Sequence, residues 1–436
     1  MSTEQLYKTE PLKCWQKAKD LRTKYYQDYA TAHERGALRY LGGAWNFDAI
    51  PKGLKTEVHS LTGEPYGASC AANTAFSARA LEKAQSYGFA KDICAYCGNY
   101  LGSVLLDEYV FGGPVPKPNF IWQSHLCCTH SKWYVNVNEL EGGLPMYSVD
   151  LAAGAMPPFE KLTPAKIEYL AGQLLDGIDW LTKVTGQEFD DEKFIQAVKY
   201  SQNSMYKWSR ACELNQHIPA PLGERQMFSL YVLGTLDKAS KEVSDFYDEL
   251  CDEVEDRAKR GIAAIPNEKH RLMTDSQPPW AFLEMWTYLE KEFNTVSIGS
   301  LYTFSLEGSW EVNQDGRLVP KVPIDPGTTR ESACRALAEY ELYKPVYQSF
   351  YHSDYKSRLM IMLARQWKVD GVILHMNRGC EGSSIGVPEN RLALMKEGFP
   401  CLMIEGSMAD ERSIDKPGTY KRIQVFMEQI TGKKSG

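Results

Sequence analysis

Hydrophobic positions change their period near residue 163. Before it, short apolar runs stand behind Gly- and Pro-bearing segments: Phe120-Ile121-Trp122 follows Pro116-Lys117-Pro118-Asn119, and Met146-Tyr147-Ser148-Val149 follows Gly142-Gly143-Leu144-Pro145. Unbroken apolar runs entered from such punctuation predict buried strands. From Thr163 onward, Ile167, Leu170, Ala171, Leu174, Leu175, Ile178 and Leu181 share one helical face. Thr163 as N-cap, Pro164 at the first helical position and Gly186 near the end bound this helix. Helical spacing returns from Asp191 to Cys212 and from about Gln226 to Gly261, where charges are dense.

After Pro266 strand and helix signals alternate. The runs are Arg271-Leu272-Met273, Val296-Ser297-Ile298, a helix around Ser332 to Tyr343, Val346 to Tyr351, a helix from Asp354 to Trp367, a strand Val369 to Met376, a helix near Arg391 to Lys396 and a strand Cys401 to Ile404. A closing helix is expected over Thr419 to Ile430. Such alternation predicts a mainly parallel sheet wrapped by helices. The fold class expected is α/β: two Rossmann-like (flavodoxin-like) domains with mainly parallel sheets plus a helical domain. The boundaries are 1–162, 163–265 and 266–436.

Composition narrows the class. The chain has 436 residues, about three domains of roughly 150 residues, so a small binding module is excluded. The net charge of −7 gives no general attraction to nucleic acid or anionic lipid, and any anionic ligand must be held locally. No apolar run approaches the ~20 residues of a membrane span, and the polar start Met1-Ser2-Thr3-Glu4-Gln5 lacks the features of a signal peptide. A cytoplasmic protein is expected, with no nucleic-acid and no membrane partner. No P-loop, dinucleotide fingerprint, nucleophile elbow or zinc-protease helix occurs.

The 11 cysteines are the candidate chemistry. Cys212, Cys251 and Cys334 fall inside helical patterns and read as buried thiols, as do Cys14, Cys70 and Cys401. Three groups instead fall in expected loops: Cys94-Ala95-Tyr96-Cys97, Cys127-Cys128-Thr129-His130 and Gly379-Cys380-Glu381-Gly382. Cys127 and Cys380 follow strands and would face the crevice at the carboxyl ends of a parallel sheet. The residues alone leave four readings open: zinc through Cys94, Cys97, Cys127 and His130; a redox Cys94/Cys97 pair; an iron-sulfur cluster taking one cysteine per loop; and unligated thiols.

The runs Asp92-Ile93-Cys94-Ala95-Tyr96, Cys127-Cys128-Thr129-His130-Ser131-Lys132-Trp133-Tyr134, Asp370-Gly371-Val372-Ile373-Leu374 leading to Cys380, and Arg422-Ile423-Gln424-Val425-Phe426-Met427-Glu428 together resemble the 2-hydroxyacyl-CoA dehydratase and benzoyl-CoA reductase family over nearly the whole chain. Within it the sequence looks most like the larger cluster-bearing catalytic subunit of the ATP-dependent benzoyl-CoA reductases. The resemblance implies a 4Fe-4S cluster with three cysteine ligands, Cys94, Cys127 and Cys380, and one open iron; Cys97 and Cys128 are alternates. It implies an oxygen-sensitive oxidoreductase that dearomatises benzoyl-CoA to cyclohexa-1,5-diene-1-carbonyl-CoA. The implied partners are a paralogous cluster-bearing subunit, ATPase activator subunits that alone bind ATP, and ferredoxin as electron donor. One departure separates this chain from the dehydratases: their Pro-Glu-Glu-Leu stretch has its nearest match in Pro51-Lys52-Gly53-Leu54, without the acidic pair, which favours ring reduction.

His125 and His375 are the candidate proton donors, because each lies close in sequence to a cysteine loop and histidine titrates near neutral pH. Lys132 and Arg378 are candidates for a CoA diphosphate. Two rival readings are a 2-hydroxyacyl-CoA dehydratase subunit, a lyase, and a zinc-stabilised structural subunit.

Overall fold

The computed structural model describes residues 5–151, 156–349 and 353–432. The opening residues 1–4 therefore lie outside it. The first sheet contains β1 (Leu38–Gly42), β2 (Val58–Thr62), β3 (Phe120–His125) and β4 (Met146–Asp150), all parallel, in the order β2-β1-β3-β4. The second contains β5 (His270–Thr274) and β6 (Thr295–Ser300). A small antiparallel hairpin, β7 (Trp310–Val312) and β8 (Leu318–Pro320), separates these from β9 (Gly371–Asn377) and β10 (Cys401–Gly406). Its order is β10-β9-β5-β6, again parallel.

Counted from the opposite edge, the second sheet runs second, first, third, fourth, which is also the order of the first. In such open sheets the strand order reverses between the first and third strands, and ligands bind beyond the carboxyl ends there. The two switch points are β1/β3 and β5/β9.

The strands form where unbroken apolar runs were expected. In β3 every residue from Phe120 to Ser124 is buried, and all of β6 is buried, as parallel strands covered on both faces must be. The pattern did not reveal β1 and β2. In β1 a charge interrupts the run: Arg39 is buried because its guanidinium donates to the carbonyls of Tyr29 (2.7 Å) and Ala30 (2.5 Å).

The helix Pro164–Thr185 buries Ile167, Leu170, Leu174, Ile178 and Leu181 and ends at Gly186, in the left-handed region. It packs on β4 and on the helix Arg330–Glu341. The stretch expected as one helix from Gln226 to Gly261 is three: Glu224–Leu230, Val232–Asp237 and Lys241–Arg260. The last begins afresh because Ser240 Oγ accepts from the Val243 amide at 3.3 Å. The run at Val346 is a short helix, Val346–Ser349; Tyr351 lies outside the described residues. The result is an α/β fold with parallel sheets and helical regions. Among the described residues no helix is long and apolar enough to cross a membrane.

Candidate active site

Both switch points open onto one cavity. Cys127 follows β3 and occupies the N-cap position of the helix Cys128–Leu140. Cys380 follows β9 at the N-cap position of a single turn, Glu381–Ser384, and Cys94 holds that position before the helix Ala95–Leu106. The structure thus brings Cys94, Cys127, Cys128 and Cys380 to the same cavity wall. Cys97 lies buried behind it, close enough for its charge to act on both Cys94 and Cys127. The cavity encloses about 40 Å³ of free volume, room for a few waters.

Close packing of the loops requires glycine at Gly379. Its φ is +78°, and a Cβ there would lie 2.3 Å from the Ile93 carbonyl oxygen and 2.9 Å from that of Asp92. Only without a side chain can the Cys380 loop rest on the segment leading into Cys94. Gly43, after β1, plays the same part at the other switch point, where a Cβ would lie 2.8 Å from His130 Cε1 and 2.9 Å from the Tyr134 hydroxyl.

A polar frame supports Cys380 from below. Ser276 takes φ +60°, which turns Gln277 under the loop. Gln277 Nε2 donates to Cys380 Sγ at 3.4 Å, and its Oε1 accepts from Ser383 Oγ at 2.7 Å and Asn377 Nδ2 at 3.2 Å. Ser383 Oγ is also 2.9 Å from Cys380 Sγ. Lys356 Nζ donates to the Ser383 carbonyl at 2.6 Å and pairs with Asp275 at 3.0 Å, both side chains buried. These bonds hold the loop in a region where an unpaired polar group is costly.

Opposite lies a buried carboxylate–imidazole pair that sequence reasoning missed. Glu64, in the first turn after β2, has Oε2 accepting from the Ala44 amide at 3.0 Å. Its Oε1 meets His130 Nε2 in a short hydrogen bond. His130 Nδ1 donates to the Ser124 carbonyl at 3.1 Å, which assigns a proton to Nδ1 and leaves Nε2 and Glu64 to share another. Burial lowers the His130 pKa, but the Glu64 charge, the Glu64 hydrogen bond and the bond to the Ser124 carbonyl together outweigh it, and the net shift is upward. Trp45, Tyr96, Trp133 and Tyr302 close the walls around this pair. Glu64 was illegible because β2, which delivers it, was not recognised.

The remaining expected residues lie elsewhere. His375 is buried, with Nδ1 2.7 Å from the Gln277 carbonyl, and burial lowers its pKa. His125 is half-exposed, 3.8 Å from Asp150. Neither lines the cavity. Lys132 is exposed, and Arg378 pairs with Glu405 at 3.3 Å on the surface. Cys14, Cys70, Cys212, Cys251 and Cys334 are buried and Cys401 half-buried, all free.

The expected 4Fe-4S cluster on Cys94, Cys127 and Cys380, with alternates Cys97 and Cys128 and one open iron, does not fit this arrangement. Among the described residues no set of three or more His, Cys, Asp or Glu side chains is placed to hold a metal ion. Burial instead pushes the Cys94 and Cys127 thiols well up, toward the protonated form, and neighbouring thiols act in the same direction. The zinc alternative fails for a further reason, since both ring nitrogens of His130 are engaged by Ser124 and Glu64.

Comparison with known proteins revises the activity. A family model described as 2-hydroxyglutaryl-CoA dehydratase, D-component, matches residues 47–430. The chain is 26% identical over 430 residues to the (R)-2-hydroxyisocaproyl-CoA dehydratase alpha subunit of Clostridioides difficile, covering 95% of each. It is 24% identical over 360 residues to the (R)-phenyllactyl-CoA dehydratase alpha subunit of Clostridium sporogenes, covering 81% of this chain and 80% of that one. It is 24% identical over 366 residues to the lactoyl-CoA dehydratase subunit alpha of Anaerotignum propionicum, covering 80% and 81%.

These findings overturn the expected benzoyl-CoA reductase subunit, its oxidoreductase chemistry on an aromatic acyl-CoA, and the ferredoxin and reductase components expected as partners. The error has a structural cause. The stretch Pro51-Lys52-Gly53-Leu54, whose lack of an acidic pair favoured ring reduction, does not reach the cavity. Lys52 pairs with Asp237 at 2.7 Å, and Gly53 packs against the Phe189 ring. The carboxylates that line the cavity are Glu64 and Glu381. The match spans most of the sequence, and the chain belongs to the 2-hydroxyglutaryl-CoA dehydratase D-component family.

Proposed function

We propose that the protein is the alpha-type subunit of a 2-hydroxyacyl-CoA dehydratase, a lyase that removes water from a 2-hydroxyacyl thioester to give the 2-enoyl thioester. The observation that carries this is the family match over residues 47–430, joined by relatives whose names are all of dehydratase alpha subunits. Those names supply the further reading that the chain works beside a companion beta-type subunit. The division at 1–162, 163–265 and 266–436 belongs to the same proposal.

The reaction breaks the C2–O bond and a C3–H bond, and the departing oxygen needs a proton to leave as water. The Glu64–His130 pair suits that need. It holds a shared proton between Glu64 Oε1 and His130 Nε2 on the cavity wall, and a positioned acid of this kind contributes roughly 10²–10⁴-fold. The aromatic walls lower the local dielectric, which strengthens electrostatic interactions inside. Cys94, Cys127 and Cys380 line the cavity as site residues. His375 acts through Gln277, positioning the support of Cys380, and His125 through Asp150 at the surface.

The test is turnover by the native complex of this chain with its companion subunits, purified and assayed without oxygen. Offered 2-hydroxyacyl-CoA thioesters, it forms enoyl-CoA with no net consumption of reductant. Dienoyl-CoA formed from benzoyl-CoA with stoichiometric reductant use, and no dehydration, overturns the proposal.

A further inference from the structure

The stretch Pro51-Lys52-Gly53-Leu54 lies away from the cavity, yet its lysine belongs to a clamp that bears on it. Two ion pairs cross between the same two segments. Lys52 Nζ pairs with Asp237 at 2.7 Å, and Asp48, on the residue before the short helix Ala49–Lys52, pairs with Lys238 at 3.6 Å. Asp48 also accepts from the Ala239 amide at 3.4 Å. Asp237 ends the helix Val232–Asp237, so each segment offers one cation and one anion to the other. Asp48 and Lys238 are buried, while the Lys52 and Asp237 side chains each keep 24% of their exposure. Charges so poorly solvated interact strongly at these distances.

Both segments lead to the Glu64–His130 pair. The chain from Gly43 to Asp48 carries the Ala44 amide, which donates to Glu64 Oε2 at 3.0 Å, and Trp45 of the cavity wall. On the other side, the helix Val232–Asp237 packs on β2 and on the helix Gly63–Ala72, whose first turn bears Glu64. Thr62 Oγ1 and Ser60 Oγ of β2 donate to the Thr235 and Leu236 carbonyls at 3.1 Å and 3.4 Å. The position of residues 48–52 on residues 232–239 therefore sets how the Ala44 amide meets Glu64. Lys238 reaches the opposite wall as well. Its Nζ lies 3.9 Å from Glu307 Oε2, just beyond the helix Leu301–Leu306 that carries Tyr302. Gly234 allows that approach, because a Cβ there would lie 2.9 Å from Glu307 Cγ.

We propose that the crossed pairs Asp48–Lys238 and Lys52–Asp237 position the Glu64–His130 pair, by fixing the loop after β1 against the helix that flanks Glu64. All four are positioning residues, and none lines the cavity. Loosening the clamp withdraws the Ala44 amide from Glu64. A carboxylate that loses one of its two fixed partners turns on the other, and a displacement of about 1 Å is enough to cost roughly 10²-fold in rate. The proposal rests on the dehydratase reading for the reaction it affects, while the clamp itself is argued from the fold.

Charge reversal in the native complex tests it, applied to the half-buried pair. Lys52→Asp and Asp237→Lys each set like charges against one another. Each single variant lowers kcat for the 2-hydroxyacyl thioester ~10²-fold with KM unchanged, and speeds hydrogen exchange of the peptide 43–48 ~10-fold. The double variant Lys52→Asp/Asp237→Lys restores the pair in reverse and returns both readouts to wild type. Where a reversal does not fold, Lys52→Met removes the pair without repulsion and shows both effects more weakly. A lowered melting temperature with wild-type kcat, unchanged exchange at 43–48, or kcat still low in a double variant whose exchange is restored each overturns the proposal. If the dehydratase reading alone is wrong, exchange still shows the loss and its rescue while wild type dehydrates no thioester.

Discussion

Cys128 Sγ lies 2.9 Å from Glu381 Oε2, and this contact joins the helix after β3 to the turn after β9 across the mouth of the cavity. Burial raises the Cys128 thiol's pKa, and the Glu381 hydrogen bond and charge raise it further. The thiolate is the reactive form, so Glu381→Gln should speed alkylation of Cys128 by iodoacetamide several-fold at pH 7.5, read by peptide mass spectrometry. An unchanged rate would show that the carboxylate does not govern this thiol.

Glu64 and His130 should fail differently. Glu64→Gln keeps shape and hydrogen bonding but removes the shared proton, so kcat should fall by about 10²–10³ with the melting temperature nearly kept. His130→Ala strands a buried carboxylate and should also cost about 3–5 kcal/mol of stability. Because the folded pKa of His130 is raised, its stabilising effect is fully present below the unfolded value near 6.5 and is lost as pH rises through the folded one. A melting temperature that drops with pH in wild type, and does so less steeply in His130→Gln, is the expected pattern.

Gly379 is the position where the two cysteine loops touch. Gly379→Ala places a methyl against the Ile93 carbonyl in a left-handed conformation, and should destabilise by about 1–3 kcal/mol while speeding hydrogen exchange at both residues 92–97 and 378–384. Faster exchange confined to one loop would contradict the contact.

Glu224 offers a pH effect away from the cavity. It is buried, and Trp286 Nε1 donates to it at 3.0 Å, with Ser297 and Thr274 adding hydroxyl donors. Burial outweighs those bonds and holds its pKa at about 7. The folded state therefore keeps a proton that the unfolded state loses near 4.5, so stability is highest below that pH and declines as pH rises to 7. The decline amounts to about 3 kcal/mol at 1.36 kcal/mol per pH unit. Urea midpoints of wild type and Glu224→Gln should diverge between pH 5 and pH 8, with the variant relatively favoured at the higher pH.

The sequence disclosed what periodicity encodes and hid what three-dimensional pairing supplies. Phe120 to Trp122 and the 167–181 helical face announce themselves because their burial is continuous or regular. β1 stayed hidden because Arg39 is satisfied by carbonyls of the preceding helix, a long-range fact. The Cys127 and Cys380 loops were legible because strand ends in parallel sheets converge, whereas Cys94 lies between two helices and no strand end marks it; the structure brings all three to one cavity. The activity was misjudged because the acidic group was sought at residues 51–54, whereas Glu64 enters the cavity from β2.

The fate of the substrate's 2-hydroxyl oxygen tests the account most directly. A 2-hydroxyacyl-CoA labelled with oxygen-18 at that hydroxyl, turned over by the native complex, should release one labelled water for each enoyl-CoA formed. Label retained in the thioester, with no enoyl-CoA produced, would contradict the assignment of this chain to a dehydrating enzyme.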